Sequence, residues 1–432
     1  MAPARRPRPL ALAVALGTLL CALAGPAPAV AAVADPLPDG TRFYAPPPDP
    51  GARQQVKTLR KRGQWPTALQ VQAMAGTPQA VWFADGTPAT VSSQVAAVVA
   101  DAARTGSVPT LVLYNVPGRD CWQYSSGGAS SDAAYRAWVD GVAAGLHGAG
   151  PVVVVVEPDG LANLPSDCPS AYPGRDADAM TDGRYTDVRY AATAVRTAAP
   201  DALVYLDAGH SAWHAVGVIA ERLDRAGVRD VQGFSLNVSN FQPTPRLLQY
   251  GSWIAKCLHY VANPADGGTR IDRYDQCASQ YSPATFGEPE TWSRTDAWYA
   301  TNVDAGPNPP TGPDQLAHFV LDTGRNGRGA WAPRAGYPDP QDWCNPPGRG
   351  LGLHPSTRTG SPLADAYLWV KTPGQSDGQC DRGVAGDGTD PAWAGVRDPA
   401  AGGWFPQQAQ QLVRLAAPPL RPSSSGVRRS TR

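Results

Sequence analysis

Short hydrophobic runs recur along the chain, and each is followed by Gly, Pro, Asn or Asp. Seven runs are predicted to be strands: residues 80–83, 110–114, 152–156, 203–206, 231–236, 319–321 and 367–370. The third consists of five consecutive valines, which is typical of a strand buried on both faces of a parallel sheet. Pro158 is expected to end this strand and to hold Glu157 extended.

Stretches with helical periodicity separate these runs. Apolar residues recur at i, i+3 and i+4, as at Val95, Val98 and Val99. The predicted helices cover residues 91–105, 131–147, 183–198 and 212–227. Alternating strands and helices predict an α/β fold with a parallel sheet and external helices. Seven such units favour an incomplete parallel β/α barrel of about seven strands, with an open doubly wound sheet as the alternative.

Composition predicts one large domain, residues 66–417, with distinct ends. Residues 33–65 are rich in proline and polar side chains and are expected to form an extended lead-in that wraps the domain. Residues 418–432 are predicted to be a disordered tail. Inside the domain, residues 238–316 form a long insertion that is rich in aromatic residues and carries two cysteines. We expect a disulfide-pinned subdomain with its own small core, a wall of a cleft, or both.

Residues 1–32 have the pattern of a secretory signal peptide. Arginines at the start precede an apolar run over residues 10–23, and two prolines then lead to small residues. This run is too short to span a bilayer, and no later run is long enough. We therefore expect a secreted, extracellular protein. Of the 7 cysteines, Cys21 lies in the signal; the remaining six predict three disulfides among 15 possible pairings.

The charge balance argues against several classes of partner. The 432 residues carry a formal net charge of +0, so neither nucleic acid nor an anionic membrane is an expected partner. No C-x-x-C pair is present and the histidines do not cluster at ligand spacing, so no metal is expected. Phosphate-cradling and dinucleotide-binding motifs are also missing from the sequence. We expect a monomer without a cofactor.

Aspartates follow the predicted strands and should meet at one rim of a parallel sheet. They are Asp120, Asp159, Asp207, Asp322 and Asp377. Hydrolysis of an acetal needs one carboxyl group to protonate the leaving oxygen and another to activate water or attack carbon. Crowded carboxylates raise one another's pKa, which keeps one of them protonated near neutral pH. Alternatively, each aspartate only caps a helix or stabilises a turn.

Tryptophans near these acids are suited to stacking against sugar rings. The candidates are Trp82, Trp213 and Trp343, whereas Trp369 in the last strand is expected to belong to the core. A serine hydrolase is the competing interpretation, because Gly209-His210-Ser211-Ala212-Trp213 follows a strand as a nucleophile elbow does. However, Trp213 stands where that motif needs its second glycine.

Seven ordered motifs resemble the catalytic domain of glycoside hydrolase family 6, over roughly residues 40–416. They are Asn115-Val116-Pro117-Gly118-Arg119-Asp120-Cys121, Val156-Glu157-Pro158-Asp159, Leu206-Asp207-Ala208-Gly209-His210, Asn237-Val238-Ser239-Asn240, Asp322-Thr323-Gly324-Arg325-Asn326-Gly327, Asp342-Trp343-Cys344-Asn345, and Trp369-Val370-Lys371 through Ser376-Asp377-Gly378. The resemblance implies a distorted, partly closed barrel and hydrolysis of β-1,4-glucan with inversion.

The resemblance also implies roles for single residues. Asp159 matches the general acid, and Asp120 matches the aspartate that keeps this acid protonated. Asp377 matches the candidate base, which acts through a chain of waters. Tyr114 matches a tyrosine that distorts the sugar at the cleavage point, and Ser126 matches a serine that positions water. Glu157 is expected to be a buried structural partner.

Further matches concern substrate binding and disulfides. Residues matched to substrate binding are Trp82, Trp213, Trp343, Lys371, His210 and Asn237. The resemblance pairs Cys121 with Cys168 and Cys344 with Cys380. These two pairings imply a third bridge between the remaining Cys257 and Cys277.

Two features bear on activity. Gln375 replaces the glutamate that the family has beside its last aspartate, so a charged substrate contact is lost. The loop between Asp120 and Asp159 is short, which is similar to open-cleft enzymes. The leading hypothesis is therefore a secreted endo-acting enzyme on β-glucan. A cellobiohydrolase of the same fold and a weakly catalytic glucan-binding protein are the alternatives.

Overall fold

The protein, described by a computed structural model over residues 36–264, 271–333, 336–384, 386 and 388–420, is built on one seven-stranded sheet. The strands are β1 (Val81–Phe83), β2 (Thr110–Leu113), β3 (Val152–Val156), β4 (Ala202–Asp207), β5 (Gly233–Leu236), β6 (His318–Asp322) and β7 (Ala364–Leu368). They lie in sequence order, and every neighbouring pair is parallel. The predicted α/β fold is thereby confirmed as a half-barrel of seven parallel strands.

The two edge strands approach each other at their ends. The backbone N–H of Ala80, just before β1, donates to the carbonyl of Trp369, just after β7, at 2.9 Å. The indole N–H of Trp82 donates to the carbonyl of Val370 at 2.8 Å. These two bonds draw the sheet into a partly closed barrel.

The valine run of β3 is buried on both faces, as predicted. Val153 and Val155 belong to an inner cluster with Tyr114 and Tyr205. The alternate valines belong to the larger outer cluster beneath the helices. Side chains alternate between the two faces of a strand, and both faces of β3 are covered by apolar clusters. Every position of β3 is therefore apolar.

Nine helices flank the sheet within the described residues. They are α1 (Pro50–Lys61), α2 (Trp65–Ala75), α3 (Pro88–Arg104), α4 (Asp132–Leu146), α5 (Ala177–Ala198), α6 (Val216–Arg225), α7 (Thr244–Ala262), α8 (Ser293–Tyr299) and α9 (Pro406–Arg414). Helices α3 to α6 match the predicted ones within a few residues. None of the helices in the described part is long and apolar enough to cross a membrane.

The lead-in differs from the expected extended segment. Its first part is extended and forms a bridge between Phe43 and Val108, but α1 then begins after Asp49. The Asp49 carboxylate caps this helix by accepting from the Gly51 N–H at 2.6 Å, and Pro50 suits the first helical position. The predicted signal peptide lies outside the described residues.

The insertion does not form a separate core. Side chains of α7 and of the segment after it, including Trp253, Tyr274 and Trp292, belong to the same outer cluster as β3 and β4. The disulfide between Cys257 and Cys277 joins α7 to that segment. At the other end, Leu420 of the predicted tail is buried with Trp369, as part of the core, while residues 421–432 lie outside the described part.

Candidate active site

A cavity of about 810 Å³ opens at the carboxyl ends of the strands. Ten of the residues predicted from the sequence line it: Trp82, Tyr114, Asp120, Ser126, Asp159, His210, Trp213, Trp343, Lys371 and Asp377. Residues from the loops after most of the strands therefore meet in one cleft, as the topology of a parallel sheet requires.

Asp159 lies at the centre of this cleft, on the turn that follows β3. Its backbone adopts a φ of 63°, and its N–H donates to the Asp207 carboxylate at 3.0 Å. Burial, followed by the neighbouring carboxylates of Asp207 and Asp120, raises the pKa of Asp159 well above its ordinary value. A carboxyl group in this environment holds its proton near neutral pH, which is the state that a proton donor needs.

Asp120 is the second carboxyl group of the cleft. It begins a short helical turn at a φ of 61°, and its carboxylate accepts from the Ser125 N–H at 2.8 Å. Burial raises the pKa of Asp120 to about 6, against the opposing effects of that bond and of Arg119 and Lys371. The Cys121–Cys168 disulfide directly beside it ties this turn to the loop after β3.

Asp377 is anchored by cations. Arg325 binds both carboxylate oxygens at 2.9 Å, and the Lys371 ammonium lies 3.6 Å from Oδ1. The Asn345 N–H donates to Oδ2 at 2.9 Å. Three hydrogen bonds and one longer ion pair therefore surround the carboxylate. Asp377 is consequently held in place, and few positions on its oxygens remain open to water.

Three further acids after strands hold the backbone in place. The buried Glu157 accepts from the N–H groups of Asn115 and Val116 and from the Tyr135 hydroxyl, at 2.9–3.0 Å. Burial raises its pKa to about 7. These contacts agree with the expected structural role, but Glu157 is not extended as predicted, because its φ is 51°. The left-handed turn directs its carboxylate towards the loop after β2.

Asp207 and Asp322 act in the same way on neighbouring loops. Asp207 accepts from the N–H groups of Asp159 and Gly209 and from the Ser235 hydroxyl, each at 3.0 Å. Burial raises its pKa to about 7. Asp322 accepts from four backbone N–H groups, including those of Ser239 and Lys371. Both side chains are 1–2% exposed. They therefore lie beneath the rim of the sheet and do not line the cleft.

Tyr114 and Ser126 flank the acids. The Arg119 guanidinium lies 4.5 Å from the centre of the Tyr114 ring, and Trp82 packs edge-on against the same ring at 5.4 Å. Arg119 also donates to the carbonyls of Tyr114, Ala84 and Ser125. It thereby fixes the loop that carries Ser126.

The three tryptophans predicted to stack on sugars are partly exposed in the cleft. Lys371 lies 5.9 Å from the centre of the Trp82 ring, and burial lowers the pKa of its ammonium. His210 also faces the cavity, where burial lowers its pKa to about 3. His210 is therefore a neutral hydrogen-bonding group and not a cation.

Asn237, which was predicted to contact substrate, does not line the cleft. Its side chain is fully buried. Its amide donates to the carbonyl of Asp322 at 2.8 Å, and its oxygen accepts from the Gln242 N–H at 2.9 Å. These bonds stabilise a left-handed residue with a φ of 69°. Ser211 of the alternative nucleophile motif is likewise 2% exposed and does not line the cleft.

The disulfides and the possible metal ligands complete the site. Cys121–Cys168, Cys257–Cys277 and Cys344–Cys380 are bonded as the resemblance implied. Within the described residues, one group of possible ligands was found, comprising Cys380, Asp390 and Asp398. Cys380 is already in a disulfide, and Arg382 pairs with Asp390 at 2.6 Å, so this group is poorly suited to a cation.

Sequence reasoning missed the role of Arg325 and the partner of Gln375. Arg325 is 1% exposed and forms the bidentate pair with Asp377. Its signal was its place three residues after a strand-end aspartate. Gln375 faces the cleft, and its amide donates to the Asp49 carboxylate at 3.0 Å.

Comparisons with known proteins agree with this geometry. Endoglucanase A of Thermobispora bispora is 31% identical over 347 residues, 80% of this chain and 57% of that protein. Endoglucanase 1 of Streptomyces halstedii is 31% identical over 93% of this chain and 97% of its own length. The chain thus spans little more than half of the first relative but nearly all of the second.

A solved structure and a family model identify the fold. The endoglucanase Cel6 from Mycobacterium tuberculosis superposes with a TM-score of 0.62 at 34% identity, covering 88% of this chain and 98% of that one. The model of glycosyl hydrolases family 6 matches residues 38–416, which include all seven strands and every acid of the cleft. The half-barrel with carboxyl groups at its rim is thus the fold of these relatives, and the chain belongs to glycosyl hydrolases family 6.

Proposed function

We propose that this protein is a secreted, inverting endo-β-1,4-glucanase that hydrolyses cellulose or a related β-glucan. The observation that carries the proposal is the state of Asp159. This carboxyl group faces the cleft, and burial together with two neighbouring carboxylates raises its pKa. Three partly exposed tryptophans in the same cleft supply flat surfaces for a neutral sugar chain.

Asp159 supplies the proton in this proposal. Its carboxyl proton passes to the glycosidic oxygen while the bond from that oxygen to the anomeric carbon breaks. Water forms the new bond at the opposite face of the sugar, which inverts the configuration of the anomeric carbon. Asp120 supports the acid because its carboxylate raises the pKa of Asp159, and its own negative charge stabilises the developing oxocarbenium ion.

Asp377 receives the water's proton in this scheme, through intervening water. Its oxygens already accept three hydrogen bonds, from Arg325 and Asn345, and Lys371 lies beside Oδ1. Little room is left for direct contact with the attacking water, which favours transfer through a second water. Ser126, which lines the cleft, is proposed to orient that water, and Tyr114 is proposed to press the reacting sugar towards a distorted ring.

The remaining lining residues bind substrate. Trp82, Trp213 and Trp343 are proposed to stack on successive sugar rings. Lys371 and the neutral His210 offer hydrogen bonds to hydroxyl groups. Asn237 is proposed to contribute indirectly, by holding the turn whose next residues, Val238 and Ser239, line the cleft.

The test of endo action compares two readouts on soluble carboxymethylcellulose. An endo enzyme lowers viscosity early, while few reducing ends have formed. Release of cellobiose with little loss of viscosity would identify a cellobiohydrolase. Proton NMR of fresh products from cellotetraose should show the α-anomer first; the β-anomer first would contradict inversion. Binding to glucan without hydrolysis would identify a binding protein instead.

Export is part of the same proposal. Three disulfides favour an oxidising compartment, and the signal-like residues 1–32 provide a route to it. Amino-terminal sequencing of protein from the culture medium should begin near residue 33. Retention of the uncut chain inside the cell would contradict export. Size-exclusion chromatography with light scattering tests the proposed monomer against the chain mass of 45.3 kDa, less the leader.

A further inference from the structure

Two aromatic side chains of the insertion are exposed and stacked on each other. Tyr281 is 39% exposed and Phe286 is 51% exposed. Their ring centres lie 4.6 Å apart, and their planes differ by 12°. We call these two residues the outer aromatic pair. Large apolar groups held in water are unfavourable, so a fixed pair of exposed rings indicates a binding surface.

The outer aromatic pair is joined to the cleft through the loop that carries Trp213. The Tyr281 hydroxyl donates to the Trp213 carbonyl at 3.1 Å. Gln280, which is fully buried, donates to the carbonyls of Ser211 and His214 at 3.1 and 2.8 Å. Two consecutive residues of the insertion therefore hold the backbone on both sides of Trp213, so the pair lies directly beside the loop that carries Trp213.

The segment beneath the pair is firmly supported. The Thr295 hydroxyl donates to the Ser279 carbonyl at 2.7 Å, and the Tyr299 hydroxyl donates to the Ala278 carbonyl at 2.8 Å. Cys277, one residue earlier, is bonded to Cys257 on α7. Hydrogen bonds and the disulfide thus hold the segment before Tyr281 in one arrangement. A preorganised surface loses little conformational entropy when a ligand binds.

We propose that the outer aromatic pair is an additional sugar-binding subsite, which takes the part of a β-glucan chain that extends out of the cleft beyond Trp213. This inference rests on the proposed function, because the occupant is the chain held in the cleft. Aromatic faces bind the apolar CH surface of a sugar without charge, which fits a neutral polysaccharide. The subsite contributes to binding of long chains and takes no part in bond cleavage.

The principal test is Phe286→Ala, because Phe286 makes no hydrogen bond that this change would remove. KM is measured on mixed-linkage barley β-glucan and on cellotriose, which is too short to extend past the cleft from a productive site. Loss of one aromatic contact should raise the KM for barley β-glucan relative to the KM for cellotriose, so that their ratio increases about 3- to 10-fold. The kcat on barley β-glucan should not change. Phe286→Tyr keeps the ring and should restore the ratio.

Two further variants separate stacking from positioning. Tyr281→Phe keeps the ring but removes the bond to the Trp213 carbonyl, and should leave the ratio within about 2-fold of the wild type. Trp65→Ala removes an exposed ring elsewhere, on α2, where Trp65 is 55% exposed, and should change nothing.

Three outcomes would overturn the inference. They are an unchanged ratio in Phe286→Ala, an equal change in Trp65→Ala, and a Tyr281→Phe defect as large as that of Phe286→Ala. The last would assign the effect to the Trp213 loop. If the wild type hydrolyses neither substrate, the proposed function fails as well. Wild-type hydrolysis with an unaffected Phe286→Ala variant removes only the subsite.

Discussion

Two groups of acids follow the strands of the same sheet, and they have different surroundings. Asp120 and Asp159 line the cleft, and within the described residues the Asp120 carboxylate accepts one backbone hydrogen bond, which leaves its other oxygen open to the cleft. Glu157, Asp207 and Asp322 are 1–2% exposed, and backbone N–H and hydroxyl groups saturate their oxygens. Position at the rim alone therefore does not suit an acid to contact a substrate. The number of donors already bound to its oxygens decides whether it can reach a substrate.

Asp377 combines features of both groups. It lines the cleft as Asp120 does, yet its oxygens are as fully engaged as those of Asp207. The difference is that its partners are cations. Asp377 pairs with Arg325 and Lys371, whereas among the described residues no such cation is bonded to Asp159 or Asp207, and burial raises the pKa of both. One cavity thus holds a carboxyl group of raised pKa, Asp159, and a carboxylate bound by cations, Asp377.

The largest expected effect comes from replacing Asp159, the proposed proton donor, by a side chain with no acidic proton. Asp159→Asn should lower kcat on barley β-glucan by about 10²–10⁴-fold, the usual contribution of a general acid. Initial rates of reducing-sugar release measure the change, and circular dichroism confirms folding. A variant with more than a tenth of wild-type activity would place Asp159 with the structural acids.

The buried acids Glu157 and Asp207, whose oxygens accept internal hydrogen bonds, should make the stability of the protein depend on pH. The pKa values of Glu157 and Asp207 are raised to about 7, whereas unfolded Asp and Glu have values near 4. Between these values the folded state binds more protons than the unfolded state, so stability falls as pH rises from about 4 to 7. We expect a loss of at least about 2 kcal/mol, measured by urea unfolding at pH 5.0 and 7.5. Equal or greater stability at pH 7.5 would contradict this.

Two substitutions of Asp207 separate the effect of its hydrogen bonds from the effect of its ionisable group. Asp207→Ala leaves three donors without an acceptor and should lower the free energy of unfolding by about 2–4 kcal/mol. Asp207→Asn can keep the bonds and should cost much less. Urea unfolding at pH 5.0 compares the two variants. Similar losses in both would show that the hydrogen bonds are not what makes Asp207 important.

The smallest predicted effect concerns Asp120. Its carboxylate raises the pKa of Asp159, so Asp120→Asn should lower that pKa. The fall of kcat/KM at high pH reports loss of the acid's proton, and in this variant it should move to lower pH by up to about one unit. An unmoved limb, or a shift to higher pH, would show that the two acids do not interact.

The sequence was most informative where a pattern is repeated or local. Five valines predicted β3 because both faces of that strand are covered, and amphipathic periodicity located α3 to α6. Helix α1 was missed because prolines suggested an extended segment, although Asp49-Pro50 is a good helix start. The seven motifs located nearly all of the cleft, since six of them lie at the ends of strands and the seventh, residues 342–345, lies in the connection between β6 and β7.

Roles that depend on tertiary contacts could not be predicted in this way. Asn237 and Asp207 lie in motifs as prominent as that of Asp159, yet their side chains are consumed by backbone groups from other loops. Arg325 pairs with a residue 52 positions away, and no local pattern indicates that partner. Which polar atoms remain free is a property of the folded rim and not of any one motif.

The most direct test of Asp159 as the proton donor varies the leaving group. Asp159→Ala is assayed on 2,4-dinitrophenyl β-cellobioside, whose leaving group needs no proton, and on cellotetraose, whose leaving alcohol needs one. Asp159→Ala should lose at least about 10²-fold more activity on cellotetraose than on the activated substrate. Equal losses on both substrates would contradict the assignment of Asp159 as the general acid.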